Sequence, residues 1–381
     1  MKKKLKLMVV AGEASGDMHA AKLVKAIQET APGAEFFGSA GSRMRDAGVE
    51  AIVDADGLSV IGIPEIARAL PMFVRSFRLL KKAAAVRKPD AVIFVDFPDF
   101  NLKLARTLKK MGIRVIYYIS PQLWAWRKYR LGTIRRYVDL MIVILPFEKD
   151  WYGSHGLKNV IYVGSPLTKE IHPGVSRDEF RHKHGFLDDS DLIALLPGSR
   201  HKEIVKILPE MLKAAALVAE HGKGVQFVIP LAQTRREVEV NAAVEKTRRL
   251  GIKVPPLTIV SDETFDAVNA ADAVAVASGT ATLETGIIGT PMVIVYKTST
   301  LNYRLLRPLI DVEHFGLINL IAGKRVATEL IQDEFTGETL AAEILRILEP
   351  EENNRMRDEL RIAADKLGHA GLGPNPQPLG V

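Results

Sequence analysis

Two carboxylates sit where a general base would be placed. Asp96 closes the apolar run Ala91–Val95 and is followed by Phe97 and Pro98 in VDFPDFN. Proline cannot continue a ladder, so the chain turns at Asp96 and leaves its side chain at the carboxyl end of the strand. The apolar neighbours Val95 and Phe97 favour the basic character such a role needs. Asp99 reads as the cap of the helix that runs to Lys110. Glu13, in AGEASGD after the run Leu5–Val10, occupies an equivalent strand end and is the second candidate. In the same turn Asp17 reads as structural, and Ser15 is open between helix cap and ligand contact. The turn is not G-x-G-x-x-G, so the dinucleotide fingerprint is absent.

Two other stretches suit phosphate. In DAVAVASGTATLETGIIGTP (272–291), a short apolar strand feeds Ser278, Gly279 and Thr280, and a helix begins at Ala281. Such a strand–turn–helix gathers unpaired N–H groups and the positive end of the helix dipole at one spot, which favours a diphosphate. Glu284, one turn in, can reach a ribose diol. Simple capping by Ser278 or Thr280 is the equally weighted alternative. In LPGSRHKE (196–203), a Gly–Ser turn precedes another helix, and Arg200 offers a forked, permanent cation for phosphate oxygens.

The elements that position these groups form a regular alternation. Strands are expected at Leu5–Val10, Ala91–Val95, Val115–Ile119, Leu140–Leu145 and Val160–Val163. After a junction in GSPLTKEIHPGVSRDEFRHKH (164–184) they resume at Leu192–Leu196, Phe227–Leu231, Leu257–Val260, Ala273–Ala277 and Met292–Val295, with helices between. That pattern specifies parallel sheets covered on both faces, in two α/β domains. A chain of 381 residues with 47% hydrophobic and 25% charged residues suits two ordinary cores. The segment beyond Gly337 reads as helical to Leu367, and GPNPQPLGV as a disordered tail. No apolar run reaches eighteen residues, the amino-terminal MKKKLKLMVV is too short for a signal peptide, and cysteine is absent, so a cytoplasmic protein is expected. The histidines 172, 182, 184 and 201 lack metal-ligand spacing, and neither a metal nor another cofactor is expected.

Charge is asymmetric. Residues 1–165 hold 27 Lys and Arg against 15 Asp and Glu, and the rest hold 25 against 30. An anionic partner is expected for the first half. From Ile66 to Pro89 there are seven basic residues and no acidic one, interleaved with Ile66, Leu70, Met72, Phe73 and Phe77. Arg75 and Arg78 lie among them, so this stretch reads as an interfacial membrane segment, with Pro71 starting or breaking a helix. SPQLWAWRKYRLGTIRRY (120–137) combines two tryptophans with five basic residues. Stacking on a nucleic acid or a sugar or lipid acceptor is open there, and core packing is the default for Trp124 and Trp126.

Two such domains with their ligand turns at the carboxyl edges imply an intervening cleft, the arrangement of a glycosyltransferase using a nucleotide sugar. A UDP-sugar 2-epimerase type and a non-catalytic sugar-binding protein are the alternatives.

Taken in order, GEASGD (12–17), VDFPDFN (95–101), SPQLWAWR (120–127), LPFEK (145–149), LPGSR (196–200), ASGTATLE (277–284) and NLIAGKRV (319–326) resemble lipid-A-disaccharide synthase, family 19 of the glycosyltransferases, over residues 5–345. Ile318 departs from the family pattern, which has proline there. The resemblance implies a GT-B enzyme with two Rossmann-like domains. Residues 1–168 would face the acceptor and membrane, and 169–345 would hold the UDP-sugar. Helices at 346–368 would pack back on the first domain, and 369–381 would form the tail. The implied reaction joins UDP-2,3-diacylglucosamine to 2,3-diacylglucosamine 1-phosphate with inversion, giving a β-1′,6 disaccharide and UDP. Asp96 would be the base, with Glu13 in reserve, and Arg200 would steady the leaving diphosphate. Ser15, Ser278, Gly279, Thr280, Ala281, Thr282, Glu284 and Asn319 would contact UDP. Residues 66–78 would meet the anionic inner face of the inner membrane. Nucleic acid is not expected as a partner, and a homodimer is compatible.

Overall fold

The computed structural model describes residues 4–56, 63–221, 224–232, 235–299, 303 and 312–368, with 63–69 described by helical backbone alone. Two compact units divide at Gly164 and Ser165.

In the first unit, seven parallel strands are β1 (Lys6–Val10), β2 (Glu35–Ala40), β3 (Glu50–Asp54), β4 (Ala91–Val95), β5 (Arg114–Tyr118), β6 (Leu140–Val143) and β7 (Val160–Tyr162), ordered β3-β2-β1-β4-β5-β6-β7. β4 is buried along its whole length, as a central strand covered on both faces must be. Met8, Val92, Phe94, Tyr117 and Leu104 build the core on one side of the sheet, and Val9, Ile93, Val95, Ala20 and Val24 the core on the other. Strand order reverses between β1 and β4, which pair directly, Val10 opposite Phe94. A topological switch point of this kind opens a crevice at the carboxyl ends of its two strands. Glu13 follows one of them and Asp96 the other.

The second unit repeats the plan with β8 (Leu192–Leu196), β9 (Gln226–Leu231), β10 (Thr258–Ser261), β11 (Ala273–Ala277), β12 (Met292–Tyr296) and β13 (Thr328–Ile331), ordered β10-β9-β8-β11-β12-β13. Its switch point lies between β8 and β11, so the turns carrying Arg200 and Ser278 emerge side by side. The final helix, Pro350–Gly368, buries Met356, Leu360, Ala363 and Leu367. Its Asn353 and Arg357 donate to the carbonyls of Asp272 and Gly289 in this unit.

The basic stretch after residue 63 forms one helix, Ile63–Arg87, with Pro71 inside it. Pro71 therefore neither begins nor ends the helix; one missing N–H is tolerated in a helix held by tertiary packing. The apolar residues divide between two faces. Met72, Phe73 and Phe77 are half-buried against the sheet core, with the Phe73 ring 6.2 Å from Phe97 and Phe77 edge-on to Phe100 at 6.1 Å. Leu70, Val74 and Leu79 are exposed beside Arg75, Arg78 and Lys82. Of the apolar residues expected at an interface, Met72, Phe73 and Phe77 thus turn to the sheet core, whereas Leu70 is exposed, together with Val74 and Leu79. The Ile66 side chain lies outside the described residues.

Candidate active site

Asp96 and Phe97 adopt left-handed backbone, φ +47° and +50°, two consecutive non-glycine residues in a region that costs about 1–3 kcal/mol each. The surroundings over-determine the turn. The Asp96 carbonyl accepts from Asn101 Nδ2 at 2.7 Å and from the Tyr117 hydroxyl at 2.6 Å. Asn101 is fully buried, and its amide also bonds the Val95 carbonyl at 3.4 Å. The Phe97 ring lies against Gly12, where a Cβ would come within 2.3 Å of it. Only glycine lets the turn after β1 approach the turn after β4 this closely. Burial, then the nearby Glu13 charge, lift the Asp96 pKa to about 6, opposed by the Phe97 N–H. Such a carboxylate is ionised at neutral pH yet more basic than a free one, as proton abstraction requires.

Glu13 is exposed and occupies the N-cap position of the helix Ala14–Thr30 without a side-chain cap bond. Ser15 is exposed in the first turn of that helix, so Glu13 rather than Ser15 holds the cap position. Asp17 is structural: its carboxylate accepts from the backbone N–H groups of Gly41, Arg43 and Met44 and anchors the helix Ser42–Asp46. Asp99 is not a cap. Phe97 holds that position, and Asp99 reaches out to Arg127 and Arg130.

A further carboxylate, absent from the sequence expectations, lies under the loop after β5. Glu148 is 2% exposed and accepts from Ser120 Oγ at 2.6 Å, Trp124 Nε1 at 3.1 Å and the Leu145 N–H at 3.2 Å. The Tyr152 hydroxyl donates to the Pro121 carbonyl. Desolvation outweighs the three donors and pushes the Glu148 pKa up to about 7. The folded protein therefore holds this proton more tightly than the unfolded chain. The associated stability is present below the ordinary value of 4.5 and is lost as pH rises to about 7, on the order of 3 kcal/mol. Glu148→Gln should remove that loss. Melting temperature followed from pH 4.5 to 8 should fall more steeply for the parent than for the variant; parallel curves would show that Glu148 titrates normally.

In the second unit the expected phosphate turns converge on one cavity of about 680 Å³. Its lining includes Gly198, Ser199, Arg200, Glu203, Ser278, Gly279, Thr280, Ala281 and Glu284, with His172 and Phe265. Gly279 is the N-cap residue of the helix Thr280–Ile288, and no side chain caps it. Ser278 instead donates its hydroxyl to the Phe315 carbonyl, and its N–H completes the sheet at the Val295 carbonyl. The capping alternative for Ser278 and Thr280 is therefore excluded, and Gly279, Thr280 and Ala281 at the start of the helix line the cavity. Burial raises the Glu284 pKa.

Glu203 modifies the expectation for the other turn. Its carboxylate accepts from the N–H groups of Ser199 and Arg200 at 3.0 and 3.1 Å and from the Arg200 guanidinium at 3.2 Å. The backbone donors of this turn are thus already engaged. Gly198, at φ +112°, makes room: a Cβ there would meet Glu203 Oε2 at 2.3 Å. The Arg200 side chain itself is 79% exposed.

Thr282 and Asn319 stand apart from the cavity lining. Thr282 is buried, donating to the Gly279 carbonyl and accepting from the Leu317 N–H. The buried Asn319 amide donates to the Ala327 carbonyl and Glu329 and accepts from the N–H groups of Val326 and Ala327. Both side chains brace the backbone behind the site. Ile318 is fully buried against Gly286, where a Cβ would come within 2.5 Å of it. Among the described residues no group of three or more His, Asp or Glu is arranged to hold a metal ion, and no helix is long and apolar enough to cross a membrane.

Comparison with known proteins matches residues 7–369 to the family model described as lipid-A-disaccharide synthetase. A lipid-A-disaccharide synthase of Syntrophus aciditrophicus is 46% identical over 366 residues, covering 96% of this chain and 94% of that one. Among solved structures, a putative UDP-N-acetylglucosamine 2-epimerase from Listeria monocytogenes superposes with a TM-score of 0.61 at 15% identity, covering 96% of this chain and 93% of that one. Anabaena Alr3699/HepE, solved with UDP and glucose, superposes with a TM-score of 0.53 at 13% identity and covers 96% of each chain. At such identities the structural likeness shows the GT-B fold alone.

Proposed function

The chain belongs to the lipid-A-disaccharide synthase family of glycosyltransferases acting in lipid A biosynthesis, and from that premise we propose how its residues carry out the transfer. The donor, UDP-2,3-diacylglucosamine, is held in the cavity of the second unit. Its diphosphate meets the uncapped N-terminus of the helix Thr280–Ile288 and the Arg200 fork, and Glu284 takes the ribose hydroxyls. The acceptor, 2,3-diacylglucosamine 1-phosphate, presents its 6-hydroxyl to Asp96. The carboxylate takes the proton, the oxygen forms a bond to the anomeric carbon, and the bond from that carbon to UDP breaks with inversion. Arg200 and the helix N–H groups stabilise the charge that develops on the departing diphosphate. Thr282 and Asn319 act indirectly, by fixing the backbone at 279 and 317 and at 326–327.

The observation that carries this reading is Asp96: a half-buried carboxylate at a switch point, lifted to about 6 and held in a strained turn by Asn101 and Tyr117. Release of UDP from the donor, measured with and without acceptor, tests it. Acceptor-dependent release supports transfer. Conversion of UDP-N-acetylglucosamine alone to another hexosamine would support the epimerase instead.

Lipid-borne substrates require a surface at which the enzyme meets the bilayer. The exposed Leu70, Val74 and Leu79, ringed by Arg75, Arg78 and Lys82, line an apolar groove of about 510 Å³ with Pro71. An apolar strip whose charged border, among the described residues, is Arg75, Arg78 and Lys82 fits the anionic inner face of the inner membrane. Leu70→Ser, Val74→Ser and Leu79→Ser together should lower partitioning onto anionic vesicles by roughly tenfold or more, with melting temperature preserved. Unchanged co-sedimentation would rule this face out.

A further inference from the structure

The loop after β5 is fixed from below and decorated above. Below, Glu148 and Tyr152 tie Ser120, Trp124 and Pro121, and buried Trp124 packs edge-on to Phe147 with ring centroids 5.1 Å apart. Above, Trp126 is 41% and Tyr129 76% exposed, unusual for large aromatic side chains on so firmly anchored a loop. Arg127, in left-handed backbone at φ +58°, lays its guanidinium 4.0 Å from the centre of the Trp126 ring. Its Nη1 lies 3.1 Å from both oxygens of Asp99, and Arg130 pairs with the same carboxylate. Asp99 is 71% exposed, so the two guanidiniums converge on an anion at the surface of the protein.

Asp99 lies three residues beyond Asp96, at the start of the helix Pro98–Lys110. The convergent arginines and the candidate base therefore share the carboxyl edge of the first sheet. A hexosamine 1-phosphate carries its phosphate on C1 and its 6-hydroxyl through C5, the two carbons that flank the ring oxygen. With the 6-hydroxyl at Asp96, its phosphate needs a cationic partner within the width of one sugar along that edge. Two arginines are suited to a phosphate dianion, and an exposed indole offers a flat apolar face to the sugar.

We propose that Arg127 and Arg130, with the Trp126 face, form the subsite for the anomeric phosphate of the acceptor, and that Asp99 occupies the two guanidiniums until the acceptor displaces it. This rests on the glycosyl-transfer reading above.

The test compares kcat/KM for 2,3-diacylglucosamine 1-phosphate with that for 2,3-diacylglucosamine lacking the phosphate. The parent should prefer the phosphorylated acceptor. Arg130→Gln and Arg127→Gln should each raise KM for it by roughly 10–100-fold, leave the dephosphorylated acceptor nearly unaffected, and leave the donor KM unchanged. Asp99→Asn, which removes the competing charge, should lower KM for the phosphorylated acceptor alone. Equal losses on both acceptors, or a preference preserved in both arginine variants, would overturn the subsite. If the parent transfers sugar to neither acceptor, the transfer reading falls separately. Calorimetric titration with glucosamine 1-phosphate against glucosamine then decides the subsite: binding of the phosphate abolished by Arg130→Gln supports it, and unchanged binding overturns it.

Discussion

Asp96→Asn is expected to lower kcat by about 10²–10⁴-fold, the contribution of a positioned general base, without weakening UDP. The cavity expected to hold UDP is lined entirely by residues of the second unit, whereas Asp96 lies in the first. Asparagine keeps the shape of the turn, because the bonds from Asn101 and Tyr117 reach the Asp96 carbonyl rather than its side chain. A base must be ionised to act, so parent activity should decline about tenfold per pH unit below about 6. Residual activity of the asparagine variant should lack that limb. Stability separates a catalytic from a structural role. The raised pKa means that ionised Asp96 costs the folded state, with stability lost as pH rises from 3.8 to about 6, so the variant should melt no lower than the parent at pH 8. Glu13→Gln removes the neighbouring like charge and should move the acid limb to lower pH while sparing the plateau. If Glu13→Gln instead abolishes turnover and Asp96→Asn does not, the two carboxylates exchange roles.

Arg200→Ala is expected to reduce kcat/KM by about 10²–10³-fold, comparable to losing one preorganised donor to a developing anion. Arg200 is mostly exposed, so its removal should leave the fold intact. Arg200→Lys should recover only part of the activity, because an ammonium cannot reproduce the forked contact with a diphosphate. Steady-state kinetics with UDP inhibition constants measure both effects. Near-parental kcat/KM in Arg200→Ala would transfer the leaving-group role to the helix N–H groups alone.

The strand ends that carry Asp96 and Ser278 were legible in the sequence because each rests on a local pattern. An apolar run followed by Asp-Phe-Pro, or by Ser-Gly-Thr and a helix, fixes a strand end without reference to the rest of the chain. Strands β2, β3 and β13 were not legible. EFFGSA carries an interior glycine, EAIVD is an exposed edge strand, and TELI is only four residues long, so none gives a clean apolar run. Partnerships across the fold were equally hidden. The left-handed pair at Asp96 and Phe97 depends on Asn101, Tyr117 and Gly12, and glycine, the usual signal for such backbone, is not at either position. Glu148 lies 24 and 28 residues from Trp124 and Ser120, and only their convergence marks it as buried. Trp124 followed the expectation of core packing, whereas Trp126 is half-exposed under Arg127; the two are separated by a single residue, and no periodicity in the loop distinguishes them. The engagement of the Ser199 and Arg200 N–H groups by Glu203 was likewise invisible, since an acidic residue in a first helical turn reads as an ordinary dipole partner.

The most direct measurement is the product itself: mass and proton NMR spectra after incubation of the purified protein with UDP-2,3-diacylglucosamine and 2,3-diacylglucosamine 1-phosphate. The expected result is one new lipid whose mass equals the two substrates less UDP, with a β-anomeric linkage to the 6-position and stoichiometric UDP. Hydrolysed donor with the acceptor untouched, or an α-linked product, would contradict an inverting transfer.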